Sequence, residues 1–269
     1  MIFLYLTKGF LLINMKICVL IKQVPDKDSK LSISPNYKSI EQSNITKVIN
    51  ESDNYALEEG LLLKEKHGGE VVVCTFGPES ANEAIKTALA KGADKGLHIM
   101  DNANEYNDIL SVAKMIVNQI KSENFDLILS GLQSDDSGNC QLGLLIAELL
   151  NTSHSSLVMS TELINDNTIK IKQELENGWF QWTELDIPAS LTIQSGINTP
   201  RYASLKGIMM AKNKPIDVVD SDITNYASSI SLEKLYVPIK AKETQFIEGS
   251  VEEMASNIVN VLANEIKVL

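Results

Sequence analysis

The sequence predicts an α/β fold in which helices flank a parallel sheet, with an added antiparallel strand region and a C-terminal helical arm. Over the first half of the chain, short apolar runs alternate with amphipathic helical segments, which is the order of βα units. After residue 151 apolar residues recur at every second position, as in β-strands, and residues typical of turns separate the predicted strands. A polar, glycine-containing loop joins the fourth predicted strand to the next helix. Ligands of such sheets bind at the carboxyl ends of the strands, so this loop marks the predicted crevice.

Four βα units are predicted in the first half of the chain. Each strand is a short apolar run, and glycines end the first two helices after residues 67 and 91. The cap cluster Asn50-Glu51-Ser52-Asp53 begins the first helix. Residues 27–46 are polar, which predicts a long loop or a small hairpin. The predicted strands are residues 17–21, 71–74, 96–100 and 125–129, and the predicted helices are residues 54–66, 80–89, 108–120 and 142–150.

The second half predicts a group of strands joined by short turns. Ile169 and Ile171 alternate with lysines, which is the pattern of a half-buried antiparallel strand. We expect the three aromatic side chains Trp179, Phe180 and Trp182 to pack within this region. The predicted strands are residues 156–164, 168–174, 178–183 and 189–194.

A loop with a short helix, residues 195–215, follows the last predicted strand. The chain is then polar up to residue 249, and residues 250–267 form an amphipathic helical pattern. An arm of this kind would cover a partner more naturally than its own core. We therefore divide the chain into an N-terminal extension (1–14), a nucleotide-binding α/β domain (15–219) and a C-terminal arm that contacts a partner subunit (220–269).

Composition and charge exclude several classes of function. The net charge is −11 without a basic cluster, which argues against nucleic acid as a partner. The three cysteines form neither a disulfide framework nor a metal-binding spacing, so we expect no metal site and a cytoplasmic location. The first fourteen residues are apolar but shorter than the about 20 residues that span a bilayer, so we expect no stable membrane insertion.

The loop of residues 130–141, called here the nucleotide loop, has the composition of a phosphate-binding turn. Two glycines, two aspartates and several small polar residues lie between a buried strand and a helix. Free N–H groups and the helix dipole at such a helix start favour an anion. Asp135 and Asp136 would repel a phosphate unless they face a sugar or cap the helix. A plain strand-to-helix connection remains the alternative interpretation.

Several motifs in chain order resemble one family, the β subunit of electron transfer flavoprotein. They are Met15-Lys-Ile-Cys-Val-Leu-Ile-Lys-Gln-Val-Pro-Asp26, Ile49-Asn50 with Ala56-Leu-Glu-Glu59, Phe76-Gly-Pro78, Ala88-Leu-Ala-Lys-Gly-Ala-Asp94, the nucleotide loop and Thr199-Pro-Arg-Tyr-Ala-Ser-Leu205. The match runs from residue 15 to about residue 219.

This resemblance implies a Rossmann-like, adenine-nucleotide-binding domain in a heterodimer with an α subunit. The implied cofactors are an FAD shared with the α subunit and an AMP that does no redox chemistry. The chain would be an electron carrier subunit without catalytic residues of its own, because redox chemistry belongs to the bound flavin. Carried over by motif, the AMP-binding residues are Leu20, Asn50, Asp53, Phe76, Gly131, Gln133, Ser134, Asp136, Ser137, Gly138, Asn139 and Gln141.

The resemblance also implies redox partners. The expected donors are acyl-CoA dehydrogenases or related enzymes, and the expected acceptor is electron transfer flavoprotein–quinone oxidoreductase, as in fatty acid oxidation. Residues 194–200, called here the docking loop, correspond to a family loop whose leucine anchors in the partner dehydrogenase. Here the anchor would be Ile197, exposed between Gly196 and Pro200, with Arg201 and Tyr202 beside it.

Three alternatives remain open. The first is a bifurcating member of the same family, with a second FAD in place of AMP and NADH as donor. The second is an ATP-cleaving enzyme, because Ser130-Gly-Leu-Gln-Ser-Asp135 is similar to the Ser-Gly-Gly-x-Asp-Ser loop of ATP pyrophosphatases. That loop follows the first strand of its fold, whereas this one follows the fourth and has Leu132 at the second glycine. The third is a stand-alone nucleotide-sensing module.

Overall fold

The computed structural model describes residues 14–43, 45–101, 108–221, 226, 228–238 and 244–269. The chain divides into two compact units, Met1–Glu233 and Lys234–Leu269. The N-terminal extension predicted over residues 1–14 lies outside the described residues, apart from Asn14.

A nine-stranded sheet is the framework of the first unit in the part of the chain that the structure describes. Seven neighbouring strands are parallel, and two further strands extend the sheet in antiparallel register. In spatial order the strands are β11 (Ile216–Asp220), β5 (Lys95–Met100), β4 (Gly69–Gly77), β1 (Met15–Leu20), β6 (Leu127–Gly131), β10 (Ala189–Ile193), β7 (Ser153–Asn165), β8 (Thr168–Glu174) and β9 (Phe180–Asp186). A separate antiparallel pair consists of β2 (Gln23–Pro25) and β3 (Lys47–Ile49).

Helices cover both faces of this sheet, which confirms the predicted fold class. One hydrophobic cluster joins one face of the sheet to the first two helices through residues such as Leu57, Leu61 and Ile85. The cluster on the other face includes Ile116 and Ile146 from the next two helices. The helices are α1 (Glu51–His67), α2 (Asn82–Lys91), α3 (Ile109–Ile120), α4 (Leu142–Leu150), α5 (Leu205–Ala211) and α6 (Val251–Asn260).

The sheet order creates a switch point beside β1. From β1 the chain adds β4 and β5 on one side, and it then returns to place β6 on the other side. The connections that leave the carboxyl ends of β1 and β6 therefore diverge to opposite sides. In open α/β sheets a crevice forms at such a position.

Two strands differ from the sequence-based expectation. β10, grouped above with the antiparallel strands, is parallel to both β6 and β7 and is buried along its whole length. β11, which was not predicted, pairs with β5 at the edge of the sheet. Edge strands lack a neighbour on one side, so the two aspartates of β11, Asp217 and Asp220, are tolerated there.

The expectation that the aromatic residues of the second half pack inward is wrong. Trp179 is 72% exposed, and Phe180 and Trp182 are also exposed. Ile169 and Ile171 of β8 occupy the core face, which leaves Lys170 and Lys172 on the outer face. Lys172 pairs with Trp182 across β8 and β9, so that tryptophan is on the outer face as well. The lysine ammonium groups lie over the Trp182 and Phe180 rings, at 5.1 and 3.9 Å from the ring centroids.

The second unit contains α6, which begins with a capping box. Ser250 Oγ accepts the backbone N–H of Glu253, and the Glu253 carboxylate accepts the Ser250 backbone N–H. The helix continues as a π-helical stretch, Val261–Ile266, and no residue of either segment is buried. The helical arm predicted over residues 250–267 is thus present.

Candidate nucleotide site and docking loop

A buried aspartate of α1 joins the carboxyl ends of β1 and β6 at the switch point. Asp53 Oδ2 accepts the backbone N–H of Lys22, two residues after β1, at 2.7 Å. Its Oδ1 accepts the backbone N–H of Gly131, the last residue of β6, at 3.1 Å. Burial raises the pKa of Asp53 to about 7, although these N–H donors favour the charged carboxylate. Both carboxylate oxygens therefore bind the backbone of the protein itself.

Asn50 and Ser52 attach the nucleotide loop to the start of α1. Asn50 is fully buried, and its Nδ2 donates to the carbonyl oxygen of Gln133 at 2.8 Å. Its Oδ1 accepts the backbone N–H of Asp135 at 2.9 Å. Ser52 Oγ donates to the same Gln133 carbonyl at 2.6 Å. Asn50 makes no cap hydrogen bond to its own helix, so its side chain serves a loop 83 residues further along the chain.

Lys22 brings a positive charge to the nucleotide loop. Its Nζ lies 2.7 Å from Asp136 Oδ1 and 3.4 Å from Ser134 Oγ. Burial raises the pKa of Asp136, but the hydrogen bond and charge of Lys22, together with hydrogen bonds from Ser134 and the backbone, lower this pKa below its ordinary value. The hydroxyls of Ser134 and Ser137 lie 2.7 Å apart. The aspartate that would repel a phosphate is therefore paired with a cation.

The start of α4 leaves hydrogen-bonding groups unused. Gln141 precedes the helix without a side-chain cap, and the first turn contains no acidic residue. Ser130 at the end of β6 and Thr192 near the end of β10 are buried neighbours across these strands. Their hydroxyls have no hydrogen-bond partner among the described residues. A carbon added at Gly143 would lie 2.5 Å from Thr192 Cγ2 and 2.6 Å from Ser130 Oγ, so glycine permits this close approach.

The space around the nucleotide loop is open. A cavity of about 220 Å³ lies between the loop, the start of α1 and the docking loop, with Glu51, Gln133, Asp135 and Ser195 in its lining. Pockets for small molecules usually measure about 300–1,000 Å³. A larger cavity of about 380 Å³ lies between α4 and the hairpin strands β7 to β9, and no predicted nucleotide residue lines it.

The structure brings the predicted nucleotide residues to one edge of the sheet. Leu20 is buried at the end of β1, and Phe76 is half-buried near the end of β4. Gly138, Asn139 and Gln141 are exposed in the second half of the nucleotide loop. The remaining predicted residues are those joined by the hydrogen bonds described above, and their role as AMP ligands stays a prediction. They are Asn50, Asp53, Gly131, Gln133, Ser134, Asp136 and Ser137.

The docking loop follows β10 and differs from the expectation at its anchor. Ile197 is half-buried and packs against the hydrophobic cluster that contains α1, rather than being exposed. Tyr202, just beyond the loop, is 95% exposed. The apolar side chains Leu205 and Met209 of α5 are exposed as well. Helix α5 approaches α2 closely through Gly207, where an added carbon would lie 2.2 Å from the Ala90 carbonyl oxygen.

Arg201 is held by two glutamates of α1. Its guanidinium contacts Glu58, which is buried, and Glu65, which is half exposed. The hydrogen bonds that Arg201 donates to Glu65 and Glu58 raise its pKa above the ordinary value. The bond from Arg201 lowers the pKa of Glu65. The only arginine of the chain therefore connects the end of the docking loop to α1.

Sequence reasoning missed several residues of this site. Lys22 directly follows the first strand, so its position at the carboxyl edge could have been inferred. Ser130 was placed in the nucleotide loop but not among its ligands, and Thr192 carries no motif. Only the pairing of β6 with β10 brings the two together. Ser52 was interpreted as part of a cap cluster. Its bond to the Gln133 carbonyl depends on the fold alone.

Neither a metal-binding cluster nor a helix able to cross a bilayer occurs in the part of the chain that the structure describes. No group of three or more His, Cys, Asp and Glu side chains there is arranged to hold a metal ion. Among the described helices, none combines the length and the apolar character needed to cross a bilayer.

Comparison with known proteins identifies the family. Residues 39–224 match the family model described as the electron transfer flavoprotein domain. This chain belongs to the electron transfer flavoprotein family. The electron transfer flavoprotein subunit beta of Methylophilus methylotrophus is 35% identical over 264 residues, covering 94% of this chain and 99% of that protein. The subunit beta of Bacillus subtilis strain 168 is 33% identical, covering 95% and 100%, and the mitochondrial subunit beta of Arabidopsis thaliana is 32% identical, covering 91% and 98%.

The resemblance to electron transfer flavoprotein β subunits is therefore confirmed, and it supports a role in electron transfer. The relatives align over nearly their whole length, so the similarity extends beyond residue 219, where the motifs end. Membership of the electron transfer flavoprotein family suggests an electron carrier rather than a catalytic enzyme.

Proposed function

We propose that this chain is one subunit of a cytoplasmic, heterodimeric electron transfer flavoprotein that buries AMP and completes the FAD site of an α subunit. In this proposal it docks acyl-CoA or related dehydrogenases and passes their electrons towards electron transfer flavoprotein–quinone oxidoreductase. The observation that carries the proposal is a polar, glycine-containing loop at the switch point of the sheet, within the segment that matches the family model.

The groups at the start of α4 fit the phosphate of an adenine nucleotide. The first turn carries free N–H groups, and the buried hydroxyls of Ser130 and Thr192 lie beside it without partners in the described part of the chain. Lys22 and the hydroxyls of Ser134 and Ser137 add further donors. Buried hydroxyls are rarely left without a hydrogen-bond partner in proteins. The two unpaired hydroxyls therefore support an anionic ligand at this place, which would accept hydrogen bonds from them.

The openness of the site supports a partner subunit. The cavity beside the nucleotide loop is smaller than usual ligand pockets, and the second half of the loop is exposed. A nucleotide bound there would remain in contact with solvent unless another chain covered it. The names of the relatives, each a subunit beta, point to an α subunit as that chain.

Bound FAD would supply the electron-transfer chemistry. The residues of this chain would bind, orient and shield the nucleotides. Asn50, Ser52 and Asp53 hold the nucleotide loop in one shape before any ligand arrives, which reduces the entropy lost on binding. The docking loop would present its surface to the electron donor.

Nucleotide extraction from the co-expressed heterodimer tests this proposal. We expect about one FAD and about one AMP per heterodimer, as the resemblance to the common form of the family implies. About two FAD without AMP would instead assign the chain to the bifurcating form, with NADH as donor. Rapid ATP turnover by the purified heterodimer, or no bound nucleotide at all, would contradict the proposal.

A further inference from the structure

Two adjacent, buried glutamates on α1 face the docking loop and the residue that follows it. We propose that Glu58 and Glu59 are positioning residues that fix the docking loop on α1 in the shape required by the electron donor. This inference rests on the proposed docking function of that loop. It goes beyond the family motifs, which identify the loop but not what holds it.

Glu58 fixes the end of the loop. Its side chain is buried, with the whole residue 6% exposed. Its carboxylate accepts the backbone N–H of Arg201 at 3.1 Å and the guanidinium Nε and Nη2 at 2.9 Å each. One carboxylate thus restrains both the main chain and the side chain of the residue after Pro200. Glu65 contacts only the guanidinium, from a more exposed position.

Glu59 fixes the middle of the loop. Its Oε2 accepts from Asn198 Nδ2 at 3.0 Å, and the same Nδ2 donates to the Tyr55 carbonyl oxygen at 3.1 Å. Its Oε1 accepts the hydroxyl of Thr161 on β7. Glu59 therefore connects α1, β7 and the docking loop through a single side chain.

The environment of Glu59 indicates that this residue fixes the position of the docking loop rather than adding to the free energy of unfolding. It is 7% exposed, and no cation of the described chain lies within ion-pair distance of it. A buried carboxylate that is satisfied by neutral donors still loses much of its hydration energy. What it provides is a fixed acceptor for the Asn198 amide, next to the half-buried Ile197.

Two fixed points three residues apart leave little freedom to the segment between them. A third fixed point lies at the start of the loop, where Gln194 Nε2 donates to Glu174 Oε2 at 2.9 Å. A loop that is already ordered loses less conformational entropy when a partner binds. Removing either glutamate should therefore weaken docking without changing the flavin environment.

The test compares Glu58→Ala and Glu59→Ala with the matched control Glu65→Ala in the full chain co-expressed with its α subunit. The first measurement is amide hydrogen exchange in peptides covering residues 194–203. We expect exchange at least about tenfold faster in the two test variants and close to wild type in the control. Amides of β1 and β6 should exchange at the wild-type rate in all three. Glu59→Gln, which keeps an acceptor oxygen, should restore most of the protection.

The second measurement is electron transfer from an acyl-CoA dehydrogenase. We expect the KM for the flavoprotein to rise about tenfold in both test variants. The kcat should stay within twofold of wild type, and the flavin absorption spectrum should be unchanged. If Glu58→Ala does not fold, Glu58→Leu, which keeps the bulk of the side chain but has no acceptor oxygen, replaces it in both measurements. Unchanged exchange in both test variants would overturn the positioning role. Faster exchange with an unchanged KM would leave the positioning role intact and overturn the docking function on which it rests.

Discussion

At the scale of single residues, Asp53 links electrostatics to the shape of the candidate site. Its two oxygens bind the N–H groups that end β1 and β6, while burial raises its pKa from 3.8 to about 7. Between these two values the folded protein keeps a proton that the unfolded chain releases. The contribution of Asp53 to stability therefore falls as the pH rises through this window.

This behaviour gives a prediction for Asp53→Asn. Because of Asp53, the free energy of unfolding of the wild type should fall by about 2–3 kcal/mol when the pH is raised from 5 to 8. The variant should lack this fall. Urea unfolding at the two pH values measures it. Ser52→Ala is the control. It removes a hydrogen bond from the same helical turn, and because a serine hydroxyl does not titrate in this range, its effect on stability should be the same at both pH values. Equal pH dependence in wild type and Asp53→Asn would refute the assignment.

The same residues illustrate how far sequence reasoning reaches. Asn50 and Asp53 were recognisable as either helix caps or nucleotide ligands. In the structure each side chain binds backbone groups of the nucleotide loop or near a strand end, between 31 and 85 residues away in the chain. No local pattern encodes such a partner, because it depends on how β1 and β6 come to lie side by side. The assignment of both residues as AMP ligands stays a prediction.

At the scale of elements, α1 and β6 meet through Gly131. A carbon added there would lie 2.3 Å from Ser52 Oγ, 2.4 Å from Asp53 Oδ1 and 2.6 Å from the Ser52 carbonyl carbon. The last of these is backbone, so the helix itself would have to move. The glycine at this strand end is therefore required by the packing of α1.

Gly131→Ala should destabilise the first unit by about 1–3 kcal/mol, the usual cost of overpacking, and should also lower the AMP content of the heterodimer. Gly178→Ala is the matched control, since Gly178 lies outside the predicted nucleotide residues, has a φ of 76° and has no atom within 4 Å of an added carbon. Its cost should be backbone strain alone, about 1–2 kcal/mol. Urea unfolding and nucleotide extraction report both effects. Full AMP content in Gly131→Ala would contradict the link between this packing contact and the nucleotide.

Element prediction succeeded where the periodicity was strong and failed where tertiary context decided. The apolar runs of β1, β4, β5 and β6 and the helices between them were identified from sequence. The direction of β10 was not, because β10 follows the hairpin strands β8 and β9 in the chain but lies between β6 and β7 in the sheet. β11 contains two aspartates, and its pairing with β5 could not be inferred from its composition.

At the scale of the whole molecule, the second unit contains apolar surface that the unit does not bury itself. The ten-residue α6 and the π-helical stretch after it contain no buried residue, and Val251, Ile258 and Val259 are exposed. Isolated helices shorter than about 12–15 residues are marginal in water, so packing must supply most of their stability. We expect the proposed α subunit to bury this apolar surface.

A chain that ends after Glu233 tests this role of the second unit. The first unit has its own hydrophobic clusters on both faces of the sheet, so we expect it to unfold cooperatively without residues 234–269. Recovery of the α subunit in affinity purification should fall at least about tenfold, because the apolar face of α6 is absent. A variant of the full chain with Ile258→Asp and Val259→Asp should show the same loss while keeping the chain length. If both variants recover the α subunit as well as wild type does, the second unit does not contribute to the heterodimer.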